Sequence, residues 1–227
     1  MSDIDNISLF DSIKEPLRSE INKAISCRSF VANEQIIDLN SNGEDVIFVC
    51  EGRVRVIIYS LSGREIALDE IGEGSFFGEL AAIDGFPRSA NVMAVTDTTL
   101  AFLSADNFLK VLKEDASISL KVMRKLTRIM RQATTRIIDL STLGSNNRVH
   151  GELLRLGKSA AVINNKPTLS PIPTHSEIAS RVSTSRETVA RVMNDLARKN
   201  IIKRTSSSII FLDMNKLENM VEEVKGE

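Results

Sequence analysis

The segment PTHSEIASRVSTSRETVARVMNDLARKNIIKR, residues 173–204, contains the start signals of two successive helices. Thr174 is followed three residues later by Glu177, which is the spacing of a capping box, so we expect a helix to begin at or near His175. Ser185 can cap a second helix that begins immediately after it. Two helices joined by so short a connection indicate a helix-turn-helix.

The residue types inside this segment fit the packing of such a motif. Ala179 offers a small side chain where the helices cross, Ser183 stands at the turn in place of the usual glycine, and Val189 can pack the second helix on the first. The sequence IIKRTSSSIIFLD, residues 201–213, predicts two short strands around a serine-rich tip, which is a wing. A helical hairpin with ordinary surface charge is the simpler alternative.

The second helix carries side chains that can read DNA bases near its N-terminal half. Arginine can form two hydrogen bonds with guanine, and glutamate can accept from the amino group of cytosine. Double-stranded DNA is therefore the expected partner. The predicted DNA-contacting residues are Thr174, His175, Ser185, Arg186, Glu187, Thr188 and Arg191.

The charge of the chain is unevenly distributed along its 227 residues, although the formal net charge is −1. Residues 1–115 hold 10 basic and 20 acidic side chains, residues 116–140 hold 6 and 1, and residues 141–227 hold 13 and 9. Only the rear of the chain is therefore expected to meet a polyanion. The apolar share of 42% and the charged share of 26% are typical of globular proteins and exclude a disordered chain.

Residues 30–104 have the pattern of short strands separated by turns. The runs VIFVC, VRVIIYS, IALDEI, ANVMAV and TTLAFL are rich in Val, Ile, Leu and Phe, and the connections SNGED, CEGR, LSGRE, GEG and DGFPR contain turn-forming residues. A short helix is expected over about residues 16–26. The pattern predicts a compact all-β domain, either a small sandwich or a barrel.

The composition excludes several other classes of protein. The acidic N-terminus MSDIDNISLF does not resemble a secretory signal, and no run reaches the roughly 18 apolar residues of a membrane span, so we expect a cytoplasmic protein with no membrane partner. Cys27 and Cys50 are too few for a disulfide framework or a thiolate metal cluster, and we predict that both are reduced core residues. Residues 1–149 contain no histidine, so neither a metal site nor a metal-dependent enzyme is expected.

From residue 116 onward the pattern is that of one long helix with a seven-residue repeat. One face can form a seam with the identical helix of a second chain, while another can pack on the chain's own β domain. The pattern predicts a parallel homodimer through residues 116–140, and a helix packed only on its own domain is the alternative. The seam positions are Ala116, Ser119, Met123, Leu126, Met130, Ala133, Ile137 and Leu140, and the second face is Leu120, Val122, Ile129 and Ile138.

The sequence LGSNN, residues 143–147, is expected to end this helix and to act as a hinge, because Gly and Asn are the residue types that stop helices. A further helical stretch is expected over residues 148–156. A second domain therefore begins near the hinge.

The segment FFGELAAIDGFPRSANV, residues 76–92, interrupts the β-rich half. It resembles the phosphate-binding cassette of the bacterial regulator family that includes the cyclic AMP receptor protein and the fumarate and nitrate reduction regulator. The sequence STSRETVARVMNDL resembles the recognition helix of the same family, and the resemblance covers nearly the whole chain. It implies an α+β fold with an N-terminal β-roll of jelly-roll type (1–115), a long dimerisation helix (116–143) and a C-terminal winged helix-turn-helix (144–227).

Within this resemblance, the cassette suits a cyclic nucleotide. Arg88 can hold the phosphate oxygens in a bidentate pair. Glu79 would repel the phosphate, so its expected partner is the ribose 2′-hydroxyl. If residues 79–84 form a short helix, its first backbone N–H groups also face the anion. The implied nucleotide-binding residues are Gly78, Glu79, Leu80, Arg88, Ser89, Ala90, Thr134 and Thr135, and Phe76, Phe77 and Phe86 are predicted to anchor the segment in the core.

Thr134 and Thr135 align with the polar pair that meets the adenine in this family, one from each subunit, and their hydroxyls can both accept and donate. The resemblance thus implies cyclic AMP as an allosteric ligand, with cyclic GMP as an alternative because a hydroxyl serves either base. RNA polymerase is an expected further partner. A surface ion pair between Arg88 and Glu79 in an empty β domain is the simpler alternative, and it corresponds to a regulator that binds DNA without a ligand.

Overall fold

The computed structural model describes residues 7–61, 63 and 65–225, so the acidic residues 1–6 and part of the predicted LSGRE turn lie outside the described residues. The chain divides into two compact units, Met1–Ile129 and Met130–Glu227. In the described part of the chain, no helix combines the length and the apolar character that crossing a membrane requires.

Among the described residues of the first unit, eight strands form two four-stranded antiparallel sheets. One sheet has the order β1-β8-β3-β6 and the other has the order β2-β7-β4-β5, which is the arrangement of a jelly roll. Apolar residues of both sheets face inward, and the predicted β-roll is confirmed. The strands are β1 (Ser26–Phe30), β2 (Gln35–Ile37), β3 (Val46–Glu51), β4 (Arg53–Tyr59), β5 (Glu65–Gly72), β6 (Phe76–Phe77), β7 (Asn91–Ala94) and β8 (Thr98–Leu103).

Helices cover one end of this roll. Phe10, Phe48, Phe76 and Phe108 form a chain of ring contacts with centroids 5.1–6.5 Å apart, which joins the helices to the sheet. Phe76 and Phe77 are buried as predicted, but Phe86 is 70% exposed, because it lies in the loop after the short cassette helix. The helices are α1 (Leu17–Ala24), α2 (Glu79–Asp84), α3 (Ala105–Glu114) and the long α4 (Ala116–Thr142), and a 3-10 turn covers Ser8–Phe10.

The long helix α4 packs on the roll through Val122, as predicted, and through residues that were not predicted for this face. Ile118 and Val122 are buried, and Leu126 packs partly buried against the same core. These residues lie one turn apart on one face, whereas Leu120 and Ile129 of the predicted face are exposed. Leu126, a predicted seam residue, therefore contributes to the packed face. The apolar stripe left exposed on α4 consists of Leu120, Met123, Ile129, Met130, Ile137, Ile138 and Leu140.

The prediction that both cysteines are core residues is wrong for Cys27. Its strand β1 is an edge strand whose first four residues are exposed, and Cys27 is exposed with them. Cys50 is half-buried, and burial raises the pKa of its thiol, with the neighbouring Cys27 acting in the same direction. The two cysteines therefore lie on strands that flank β8 on either side, close enough for Cys27 to influence the thiol of Cys50.

The second unit is a winged helix-turn-helix, as predicted. Its four-stranded sheet has the order β11-β12-β10-β9, and the hairpin β11–β12 is the wing. Helix α5 begins at Ser145, so Asn146 and Asn147 form its first turn instead of ending α4, and only two residues separate the helices. The elements are α5 (Ser145–Ser159), β9 (Ala161–Ile163), β10 (Lys166–Leu169), α6 (His175–Arg181), α7 (Arg186–Arg198), β11 (Ile202–Arg204), β12 (Ile209–Phe211) and α8 (Met214–Lys225).

Candidate functional site

The cassette is built around helix α2, which has the bounds that the sequence predicted. Glycines in the left-handed region flank it on both sides, Gly78 with φ of 83° and Gly85 with φ of 71°. A Cβ atom on Gly78 would lie 2.5 Å from Arg88 Nη1 and 2.9 Å from the carbonyl oxygen of Asp45. Gly78 is therefore required both by its backbone conformation and by the close approach of Arg88.

Arg88 is only 6% exposed, and main-chain atoms fix its position. Nη1 donates to the Gly78 carbonyl at 3.0 Å, and Nη2 donates to the Asp45 carbonyl at 2.7 Å. The backbone of Arg88 is held in turn by Ser41 and Asn40. Among the described residues, no carboxylate lies within ion-pair distance of the guanidinium. A guanidinium has five N–H donors, so Arg88 retains capacity to bind an anion.

The electrostatic surroundings of Arg88 are unusual for an arginine. Burial lowers the pKa of Arg88. Nearby acidic side chains oppose that shift, with Asp45 having the largest influence, followed by Glu44 and Glu79. A buried charge is costly unless it is paired. The cassette thus contains a fixed positive charge whose direct partners are backbone carbonyls.

Glu79 begins α2 and is 4% exposed. Its Oε2 accepts from Nζ of Lys125 at 3.2 Å, and Lys125 also donates to the carbonyl of Phe76. The Lys125 ammonium lies 3.7 Å from the centroid of the Phe76 ring, which is a cation–π contact. Burial lowers the pKa of Lys125, and Glu79 acts against that shift. Lys125 was not among the predicted residues, because its contact depends on how α4 packs.

The other predicted cassette residues lie on the same segment with different exposure. Ala90 is 7% exposed and belongs to the core, while Leu80 is 41% exposed and Ser89 is exposed. The structure thus brings Gly78, Glu79 and Arg88 together and leaves the hydroxyl of Ser89 at the surface.

Thr134 and Thr135 lie on α4 within the second unit, and both are exposed. Their hydroxyls donate to the carbonyls of Met130 and Arg131, at 3.0 Å in each case. Such bonds to the preceding turn are common for threonine in helices and leave the hydroxyl oxygen able to accept.

The two predicted helix caps of the DNA-binding motif are present. The Thr174 hydroxyl accepts from the Glu177 N–H at 3.2 Å, and the Thr174 N–H donates to the Glu177 carboxylate at 2.7 Å, which completes a capping box. The Ser185 hydroxyl accepts from the Thr188 N–H at 3.2 Å and begins α7. Ser183 has φ of 51°, so the turn does use the left-handed conformation that glycine normally supplies.

Arg148 holds this turn, although nothing in the sequence pattern singled it out. Its guanidinium donates to the carbonyl of Val182 at 2.9 Å, to that of Ser183 at 3.1 Å and to that of Leu143 at 2.7 Å. One side chain therefore connects the end of α4 with the turn between α6 and α7.

The outer face of α7 is charged and its inner face is apolar. Val189, Val192 and Leu196 are buried, while Arg186 and Glu187, in the first turn, are exposed. The pKa of Glu187 is lowered by hydrogen bonds from its own backbone and from Ser185. An ionised acceptor and a cation are thus presented to solvent at the start of α7.

Two further predicted residues contact neighbouring elements. Nη2 of Arg191 donates to Oδ1 of Asn146 at 3.4 Å. The ring of His175 lies 3.3 Å from Nη1 of Arg204, at the end of β11 nearest the tip of the wing. Burial lowers the pKa of His175, and the positive charge of Arg204 acts in the same direction. This contact joins the first residue of α6 to the wing.

Two family models match this chain. The cyclic nucleotide-binding domain matches residues 27–115, and the Crp-like helix-turn-helix domain matches residues 147–220. The first contains the whole cassette, and the second contains both helices of the motif and the wing.

Known proteins resemble the chain over most of its length. The cyclic AMP receptor protein of Thermus thermophilus is 32% identical over 163 residues, which are 71% of this chain and 72% of that protein. A cAMP-activated global transcriptional regulator of Salmonella typhimurium is 26% identical over 80% of this chain and 87% of its own length. The solved structure of a CooA mutant from Carboxydothermus hydrogenoformans covers 95% of both chains with a TM-score of 0.82 at 21% identity.

Proposed function

The chain belongs to the CRP/FNR family of cyclic-nucleotide-binding, DNA-binding bacterial transcription regulators, and we propose that it acts as a homodimer that responds to cyclic AMP and binds a pseudo-palindromic operator. The functional divisions proposed are a nucleotide-binding domain over residues 1–115, a dimerisation helix over 116–143 and a DNA-binding domain over 144–227.

The observation that carries the ligand part of the proposal is the buried guanidinium of Arg88. It is 6% exposed, and its Nη1 and Nη2 atoms donate to neutral carbonyls. A cyclic nucleotide offers one phosphate anion, which would supply the missing negative charge through charge-assisted bonds. The Ser89 hydroxyl and the N-terminal N–H groups of α2 are proposed to bind the same phosphate.

The sugar and the base have separate proposed partners. Glu79, whose carboxylate is buried beside Arg88, is suited to accept from a ribose 2′-hydroxyl. Thr134 and Thr135 are proposed to meet the adenine from the two subunits, which would join ligand binding to the dimer. The resemblance to proteins named for cyclic AMP favours this nucleotide over cyclic GMP.

The dimer proposal rests on the exposed apolar stripe of α4. Met123, Met130 and Ile137 recur every seven residues and are 54–70% exposed. A second copy of this helix would cover them as a coiled coil does. A dimer of this kind would present two recognition helices to half-sites one DNA turn apart.

Ligand control requires two arrangements of the long helices with different affinities for the nucleotide. We propose that occupation of the cassette favours the arrangement in which both recognition helices match the operator. RNA polymerase is the further partner expected of a transcription regulator.

One observation favours a second candidate, a regulator of the same fold that binds DNA without a nucleotide. The Arg88 guanidinium already donates to two carbonyls, so it can also serve as an internal brace between residues 45 and 78. In that case cyclic nucleotides would change neither affinity nor specificity for DNA.

A titration of labelled palindromic DNA with and without cyclic AMP separates the two candidates. We expect the nucleotide to raise specific affinity in the wild-type chain, and we expect Arg88→Leu to remove that effect. Arg53→Leu, at a half-exposed arginine that pairs with Glu70, is the matched control and should retain the response. Equal DNA affinity with and without the nucleotide in the wild-type chain would favour the ligand-independent regulator.

A further inference from the structure

Lys125 has an environment that ordinary surface lysines do not have. Its side chain is 17% exposed, and its ammonium contacts the carboxylate of Glu79, the carbonyl of Phe76 and the ring of Phe76. These partners lie in β6 and at the first residue of α2. One residue of the long helix therefore contacts the first residues of the cassette segment.

The ion pair between Lys125 and Glu79 is expensive to bury. The carboxylate side chain of Glu79 is 5% exposed, and burial is the largest influence that lowers the pKa of Lys125. Replacing a buried ion pair with apolar residues is often neutral or stabilising, so stability alone gives little reason for this pair. Two other charges act on the pKa of Lys125 in opposite directions, since Asp69 raises it and Arg128 lowers it. On the other side of the pair, Arg88 lies near Glu79.

The pair leaves half of the Glu79 carboxylate available. Lys125 bonds to Oε2. Within residues 7–61, 63 and 65–225, no group donates a hydrogen bond to Oε1. A carboxylate has two oxygens that can each accept, so Glu79 can bind Lys125 and a ligand hydroxyl at the same time.

We propose that Lys125 is the positioning residue for sugar recognition, which rests on the proposed function of the cassette. It pairs with the buried Glu79 carboxylate and holds Oε2, so that Oε1 accepts the 2′-hydroxyl of the cyclic nucleotide. Because Lys125 belongs to α4, recognition of the ribose then depends on the packing of the long helix on the roll.

Isothermal titration with cyclic AMP and with 2′-deoxy cyclic AMP tests this role in the full chain. The wild-type chain should bind cyclic AMP at least about tenfold more tightly than the deoxy compound, as expected for a hydrogen bond to a charged acceptor. Lys125→Met keeps most of the side-chain volume but loses the charge. It should reduce that ratio to about threefold or less, chiefly by weakening cyclic AMP.

Three further variants make the result specific. Glu79→Gln should reduce the affinity ratio as Lys125→Met does. Lys125→Arg, which keeps the positive charge, should retain most of the wild-type ratio. Lys121→Met is the matched control, because Lys121 lies one turn earlier on α4 and donates to the carbonyls of Ser8 and Leu9 rather than to the cassette. It should leave the ratio unchanged.

The outcomes separate this inference from the function on which it rests. A loss of affinity for both nucleotides by the same factor in Lys125→Met would overturn the positioning role and make Lys125 a purely structural residue. Equal binding of both nucleotides by the wild-type chain would overturn it while leaving a nucleotide-binding cassette. Binding of neither nucleotide by the wild-type chain would overturn the proposed function and the inference together.

Discussion

The cassette and the recognition helix α7 each present an arginine and a glutamate, but in opposite environments. In the cassette, Arg88 and Glu79 are 6% and 4% exposed and are fixed by carbonyls and by Lys125. At the start of α7, Arg186 and Glu187 are exposed, while the buried face of the helix is apolar. A small ligand must be surrounded by the protein, whereas a DNA groove itself surrounds the side chains that enter it. Changes in the cassette should therefore alter stability and binding together, and changes on α7 should alter binding alone.

The largest effect is expected for Gly78→Ala. The new methyl group would meet Arg88 Nη1 at 2.5 Å in a residue with φ of 83°, so the change combines backbone strain with displacement of a buried guanidinium. We expect a loss of about 2–4 kcal/mol in the free energy of unfolding, measured by urea denaturation, together with loss of nucleotide binding.

Gly85→Ala is the matched control, because Gly85 has φ of 71° and no atom within 4 Å of an added Cβ. Gly85→Ala should lower the free energy of unfolding by only about 1 kcal/mol and leave nucleotide binding unchanged. Equal costs for the two variants would mean that the contact between Gly78 and Arg88 contributes nothing.

An intermediate effect, confined to binding, is expected for Arg186→Ala. Loss of a bidentate base contact should weaken specific DNA binding by about 1–3 kcal/mol, with a much smaller change on unrelated DNA. Because Arg186 is exposed, the free energy of unfolding should change by less than about 0.5 kcal/mol. Competition titrations with specific and unrelated duplexes measure the first change, and urea denaturation measures the second.

Arg198→Ala, at the exposed last residue of the same helix, is the control for Arg186. It should weaken binding to both duplexes by similar small amounts, because only non-specific attraction to phosphates is reduced. A specific loss as large as that of Arg186→Ala would move the proposed base-reading region toward the other end of α7.

The smallest effect, with the opposite sign, is expected for Ser183→Gly. Ser183 has φ of 51°, and glycine adopts this conformation without the steric cost that a side chain adds. Thermal unfolding should show that the free energy of unfolding rises by about 0.5–1 kcal/mol. Asn200→Gly, at φ of 55°, is the control and should gain less stability, because asparagine tolerates the left-handed region. A lower free energy of unfolding for Ser183→Gly than for the wild-type chain would contradict the proposed strain at Ser183.

The features that were predicted from sequence depend on a few adjacent residues. The bounds of α2, the caps Thr174 and Ser185, and the left-handed position of Ser183 follow from local backbone preferences. Such preferences act within one turn of the chain, so the residue order is sufficient to read them.

The features that were missed depend on contacts between distant parts of the chain. The seven-residue repeat of α4 gives a period but does not decide which stripe packs on the roll, so Leu126 was assigned to the seam although it packs on the core. Lys125 and Arg148 reach partners 34 to 49 residues away, apart from the nearby Leu143. The one available signal for Lys125 was its position beside Val122 and Leu126, and the sequence held no comparable signal for Arg148.

The contacts of Arg148 have a consequence for how this protein can change over evolutionary time. Its three bonds end on main-chain carbonyls, so they constrain the course of the chain at residues 143, 182 and 183 but not the side chains there. Substitutions at the first exposed positions of α7 therefore leave this support intact. Operator preference can diverge among descendants of this chain while the geometry that presents the recognition helix is inherited unchanged.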